Sequence, residues 1–407
     1  MGSISVMDEV ALRYLLLGLR LGRHVPGFVE SYLGPAELAE AVEGEPLTPV
    51  AELHDEAMQL AGMATEISAA TRALRRRRTW LAAQVQAMAA LARWIGGEEI
   101  GYLDLVEELY DIEVLPEPDA TFDTARNMLE GALPGRGSLR ERLAVHDAEA
   151  RMPEDRVMPA ARQLADRLRE RTRAQLWLPA SESIQLEGVH GVQWATSVRH
   201  LSFGRSILSI DLDRPITLSS LGELIAHDAY PGRHAEAAVK DELLVRVGHP
   251  ELSLVATPTP QALVSEGMAG FGREVLMGDR ELLVELEKLA RSLDRRPDIR
   301  GEVVVLRARR LMVPALGNAA VALHRDGEPI EQVRAYLAEV ALIGDDRLAE
   351  TMSRLADPVR RAEPFARIEG RRVVTEWLEE HGQTAGFARL LAEQLTPGGL
   401  RSELRPA

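Results

Sequence analysis

Apolar residues recur at helical spacing along almost the whole of this chain, and the pattern is interrupted by one strand-like stretch. Over 7–44, over 50–110 and again over 153–176 they return every three to four residues, which places them on one face of a helix. Near residue 181 the period becomes two. "SIQLEGVHGVQWATSV" and "GRSILSIDLDRP" alternate like half-buried strands, the second closed by Pro215. After "TLSSLGEL" the helical period resumes and holds to the end. Such a chain is predicted to be mainly α, with a small antiparallel sheet over 183–213 set directly before the helix that carries His227. Ser220 and Glu223 stand at capping-box spacing there, and Thr217 or Ser219 serve equally as its first residue. The change near 181 separates an N-terminal helical lobe, 1–180, from a second lobe, 181–407, within one integrated domain.

At 407 residues and 46% hydrophobic the chain has ample core and is not a disordered one. Its aromatic content is only 4%, while Ala, Leu, Glu and Arg abound, a balance that favours helix. A net charge of −15 argues against nucleic acid or an anionic membrane as a partner. With no cysteine, any metal must be held by His, Asp or Glu. The opening "MGSISVMDEVALRYLLLGLR" has an early acid pair and no basic start, so it reads as the first helix of the fold rather than a signal peptide. No run approaches the roughly 20 apolar residues that span a bilayer, and a cytoplasmic location is expected. The sequence carries no signal for oligomeric state. Only Lys240 and Lys288 are lysines among the 48 basic residues, a bias attributed to a high-GC bacterial genome. The one basic run, Arg75 to Arg78, is read as a solvated helix face, because nothing Gly-rich or aromatic accompanies it.

The segment of greatest chemical interest is "ELIAHDAYPGRHAEAAVKDELL", residues 223–244. His227 and His234 lie seven apart, so a continuous helix turns about 700° between them and leaves them about 20° apart on one face. Pro231 removes the hydrogen bond to the carbonyl of His227, and the helix is expected to kink or widen there. The pair is therefore compatible with one shared metal ion, and equally with two core histidines bonded to backbone or carboxylates. The next helix, "TPTPQALVSEGMAGFGRE", starts with Thr259 as N-cap and Pro260 at its first position. Glu266 sits among Ser265, Gly267, Ala269, Gly270 and Gly272, small residues that let another helix approach closely. It is a plausible third ligand of a His-His-Glu site, with a Glu on an exposed helix face as the alternative. His190, His200 and His324 are weaker candidates, with surface or core packing as the alternative.

"AHDAYPGRHAEAAVKDELL" followed by "PTPQALVSEGMA" resembles the bacterial domain-of-unknown-function 885 family, whose mark is His-Glu-x-x-Pro-Gly-His-His followed by a Glu-Gly helix. That family is similar in fold to the Taq-type metallocarboxypeptidases, helical zincins with a substrate cleft. The likeness extends to "LGLRLGRHVPGFVESYLGPAEL", "LPGRGSLRERL" and "GNAAVALHRDGEPIEQVRAYL". It implies a zincin-like helical fold and a zinc-dependent hydrolase acting on a peptide or small-molecule substrate, with zinc held by His227, His234 and Glu266. Asp228 would take the place of the family's glutamate as general base. The family's His-His pair is Arg233-His234 here, and if its first member is the ligand, Arg233 has abolished the site. Where the family often carries tyrosines, "EPFARIEG" has Glu363 and Arg367, and Arg367 is the candidate for the oxyanion-stabilising charge. The strand "RSILSIDLD" is expected to lay its edge along an extended peptide. The three departures, at Asp228, Arg233 and the missing tyrosines, leave a second expectation open: a catalytically inactive zincin-like relative acting as a binding or scaffolding protein.

Overall fold

The structure, a computed structural model, describes residues 5–114, 117–192, 194–293 and 298–404. The first lobe runs α1 (Val6–His24), β1 (Val29–Tyr32), α2 (Ala36–Gly44), α3 (Val50–Glu66), α4 (Arg72–Ile95), α5 (Tyr102–Tyr110), α6 (Asp123–Ala132), α7 (Leu139–Ala150) and α8 (Glu154–Gln175). Strands β2 (Ser183–Val189), β3 (Thr196–Leu201) and β4 (Arg205–Asp211) follow. Then come α9 (Leu218–Asp228), α10 (Arg233–Leu243), β5 (Leu254–Ala256), α11 (Pro260–Leu276), α12 (Asp279–Ser292) and α13 (Ile299–Met312). The chain ends through α14 (Pro314–His324), α15 (Ile330–Glu339), α16 (Asp345–Ala356), α17 (Glu363–His381), α18 (Gln383–Ala392) and α19 (Pro397–Leu404). The fold is mainly α, and no helix among the described residues is long and apolar enough to cross a membrane.

The sheet over 183–213 forms, and its strand directions are mixed rather than all antiparallel. Phe203 and Gly204, both at positive φ, turn β3 back on β4 as an antiparallel hairpin. β4 thereby inserts between β3 and β2, and the order β2-β4-β3 leaves β2 parallel to β4, from Ser183 opposite Arg205 to Val189 opposite Asp211. Both edges of "RSILSIDLD" are therefore occupied, and the free edge beside the candidate site belongs to β3. A second, two-stranded antiparallel sheet pairs β1 with β5, which sequence alone does not disclose because neither strand is long enough to show a period.

Helix α9 starts as one of the open alternatives has it: Thr217 Oγ1 accepts from the Ser220 N–H, and Ser220 Oγ accepts in return from the Thr217 N–H. Its inner face, Leu218, Leu221, Ile225 and Ala226, joins a core with Val264 and Met268 of α11 and Val374 and Trp377 of α17. α11 and α17 cross in near backbone contact. A Cβ built on Gly267 would stand 2.1 Å from the Gly370 carbonyl oxygen, so the small residues around Glu266 do admit a helix. The N-terminal helices pack about their own core of Tyr14, Leu17, Leu53, Trp80 and Met88, which also takes in Leu254 and Ala256 of β5.

The basic run departs from its expected role. Arg75 lies on the surface, but Arg77 is 5% exposed and holds Glu251 through Nε and Nη2 at 2.8 and 3.0 Å. The run faces a distant acid across the fold, which no local pattern reveals.

Candidate functional site

The segment between the two histidines decides the site. α9 stops at Asp228 and a new helix begins at Arg233, so there is no single kinked helix. Ala229 takes φ −111° and ψ −85°, and Gly232 takes φ −77° and ψ −134°. A Cβ on Gly232 would meet the His227 carbonyl oxygen at 1.7 Å, so only glycine lets the chain return so close to the end of α9. Rotation counted at 100° per residue loses its meaning across such a link.

Consequently the two histidines point into different surroundings. His234 is fully buried. Its Nδ1 lies 2.8 Å from Ser206 Oγ on β4, and its Nε2 lies 3.1 Å from Glu182 Oε2. Glu182 also accepts from the Tyr230 hydroxyl and, on its other oxygen, from Arg169 and Arg173 at 2.7 Å each. Burial would raise the Glu182 carboxyl, but these donors outweigh it and hold the group down to about 2. Ser206 Oγ in turn lies 3.1 Å from His200 Nδ1. Burial, with Arg233 and His234 nearby, pushes His200 down to about 3, so it is neutral at pH 7.

His227 faces the other way. Its Nδ1 lies 2.8 Å from Asp228 Oδ1 and its Nε2 lies 3.5 Å from Glu266 Oε2. Arg233 completes the group. Its Nη1 donates to Glu266 Oε1 at 3.1 Å and its Nη2 to Glu30 Oε2 on β1 at 2.7 Å. Arg367, 63% exposed on α17, brings its Nε to 3.6 Å from Glu266 Oε2. Burial opposes ionisation of His227, but the carboxylates of Glu266 and Asp228 outweigh it and push the imidazole up to about 9. Asp228 and Glu266 are held below the usual carboxylate range, because His227 and Arg233 overcome the effect of their burial.

These residues are not arranged as the His-His-Glu zinc site that the family resemblance implies. His227 and Glu266 are brought together, but His234 is not with them. The cation beside Glu266 is Arg233, whose guanidinium holds the carboxylate a dication would need. Among the described residues no group of three or more His, Asp or Glu is placed to hold a metal ion. Asp228 is engaged by His227 instead of standing free as a base. Of the weaker candidates, His190 pairs with Asp213 at the surface and His324 bonds the Leu355 carbonyl.

A cavity of about 190 Å³ opens on this cluster, with Arg233, Glu266, Arg367 and His200 in its lining. Tyr14, Trp80 and Gln84 of the first lobe line it as well. Trp80 Nε1 donates to Gln261 Oε1 at 2.7 Å, and Gln261 Nε2 donates to Ser265 Oγ and Glu236 Oε1 at 2.9 Å each. Lys240 closes this polar wall against Glu236 at 2.5 Å. Sequence reasoning passed over Glu182, which sits in a turn without pattern, and Gln84. The latter had a signal: it is the one polar residue on the stripe Trp80, Leu81, Gln84, Val85, Met88.

No family model and no curated protein matches the chain. Solved structures do. One described as the "putative lipoprotein from Colwellia psychrerythraea" is 14% identical with a TM-score of 0.56, over 90% of this chain and 68% of that one. Another, "a putative lipoprotein of unknown function from Shewanella oneidensis", is 12% identical with a TM-score of 0.50, over 90% and 76%. At such identities the likeness is one of fold alone.

Proposed function

We infer that this protein is a binding protein on a zincin-like scaffold, which holds a peptide or small molecule in its cleft without metal-activated hydrolysis. The reading rests on one observation, the guanidinium of Arg233 bonded at once to Glu266 and Glu30. A dication beside Glu266 would have to share its ground with Arg233 and Arg367, two like charges at ion-pair distance of the same carboxylate. The relation to the domain-of-unknown-function 885 family and the cytoplasmic location belong to the same proposal. Fractionation of cells checks the location. For the activity, the protein is incubated with a mixed peptide library and added zinc. Intact peptides retained on the protein, with no new termini, are expected; zinc-dependent cleavage defeats the reading.

The zinc-dependent hydrolase remains a second reading because of Glu266 Oε2. That oxygen is buried and has no hydrogen-bond partner, its nearest cations being His227 and Arg367 at ion-pair distance. The same incubation separates the two.

A further inference from the structure

One buried chain of hydrogen bonds ends at the cavity. The pairing of β3 with β4 sets His200 opposite Ser206, on the face of the sheet turned toward His234. The contacts run from Glu182 Oε2 to His234 Nε2, from His234 Nδ1 to Ser206 Oγ, and from Ser206 Oγ to His200 Nδ1, at 3.1, 2.8 and 3.1 Å. His200 is 8% exposed and lines the cavity. Among the described residues nothing hydrogen-bonds its Nε2, and that atom is not enclosed.

The direction of the chain follows from counting hydrogens. Glu182 is ionised and only accepts, so His234 Nε2 carries a hydrogen. The carboxylate already meets Arg169 and Arg173, and a charged ring at the fully buried His234 would be a third cation against it. In the neutral ring Nδ1 is an acceptor, and the Ser206 hydroxyl donates to it. That spends the one hydroxyl hydrogen, so Ser206 Oγ accepts from the His200 Nδ1–H. The neutral ring of His200 is left with a bare lone pair on Nε2.

We propose that His200 Nε2 is the acceptor with which this cavity recognises an uncharged donor, an amide N–H or a hydroxyl of its ligand, and that Glu182, His234 and Ser206 are the positioning residues that fix its tautomer. A ligand carboxylate has no hydrogen to give. An ammonium would meet the same Arg233 charge that disfavours a proton on this ring. The recognition rests on the reading of the cleft as a ligand site; the tautomer does not.

Nitrogen NMR of the intact protein with ring-labelled histidine tests this at pH 7. Without ligand, His200 should carry hydrogen on Nδ1 only and His234 on Nε2 only. N-methylacetamide, which has one N–H, should move the His200 Nε2 resonance. It should also bind about three- to tenfold tighter than N,N-dimethylacetamide, which has none, the worth of one neutral hydrogen bond. Ser206→Ala should release the His200 ring into both tautomers and erase most of that preference. Hydrogen on His200 Nε2 in the wild type, or equal affinity for the two amides there, overturns the proposal whether or not the variant folds. A folded Ser206→Ala that keeps hydrogen on Nδ1 alone removes the positioning role. Zinc-dependent cleavage of peptides would defeat the reading of the cleft and leave the two tautomers as measured.

Discussion

Arg233 and His234 are neighbours in sequence yet take different partners: Arg233 reaches Glu266 at 3.1 Å, while His234 turns to Ser206 and Glu182 at 2.8 and 3.1 Å. The glycine before them restarts the helix, so the first residue of α10 enters the cluster around His227 and the second enters the core.

The charge of His227 gives the cluster a pH signature. Its folded-state value is raised to about 9, against an ordinary value near 6.5. A raised cation contributes stability that is fully present below pH about 6.5 and lost as pH rises through about 9. At 26% side-chain exposure the contribution is of order 1–3 kcal/mol. An NMR titration of the His227 ring should therefore show it charged at pH 7.5, with the melting temperature falling between pH 7 and 9. A ring titrating near 6.5 would contradict the cluster as described.

The buried network around Glu182 is structural. Glu182→Ala strips a buried carboxylate from Arg169, Arg173, Tyr230 and His234, and is expected to cost about 3–5 kcal/mol in urea unfolding. A loss under about 1 kcal/mol would show the network to be slack.

Within the basic run the four arginines should behave unequally. Arg77→Met leaves Glu251 with Gln394 at 2.9 Å and His249 at 3.7 Å, so a loss of about 3–5 kcal/mol is expected. Arg75→Ala, at the surface, should stay within about 0.5 kcal/mol of the wild type. Similar losses at both positions would restore the reading of a uniform solvated face.

Two glycines of α11 offer a paired comparison. At Gly267 a methyl group would meet the backbone of Gly370 at 2.1 Å, and Gly267→Ala should cost at least about 3 kcal/mol by forcing α11 and α17 apart. At Gly270 the same methyl meets nothing within 4 Å, and Gly270→Ala should stabilise by roughly 0.5–1 kcal/mol through helix propensity. Thermal melts of the two variants check the order.

Much of the architecture was legible because it is written in local periods. The expected helix over 153–176 is α8, Thr259 caps α11, and the strands fall within 183–213. The small residues beside Glu266 foretold the crossing with Gly370. What local periods cannot carry is pairing at a distance. β1 and β5 are four and three residues long, and Arg77 meets an acid 174 residues away. The assignment of His234 beside His227 failed for a related reason. It assumed that helical phase survives the Pro-Gly link, and that link is not helical.

Metal analysis of tag-free protein incubated with zinc, alongside Arg233→His, tests the central role of Arg233 most directly. The wild type is expected to carry essentially none, and Arg233→His, which frees Glu266 and supplies a second imidazole beside His227, is expected to take up about one zinc per chain. About one zinc per wild-type chain, lost on His234→Ala, would contradict the account and return His234 to the site.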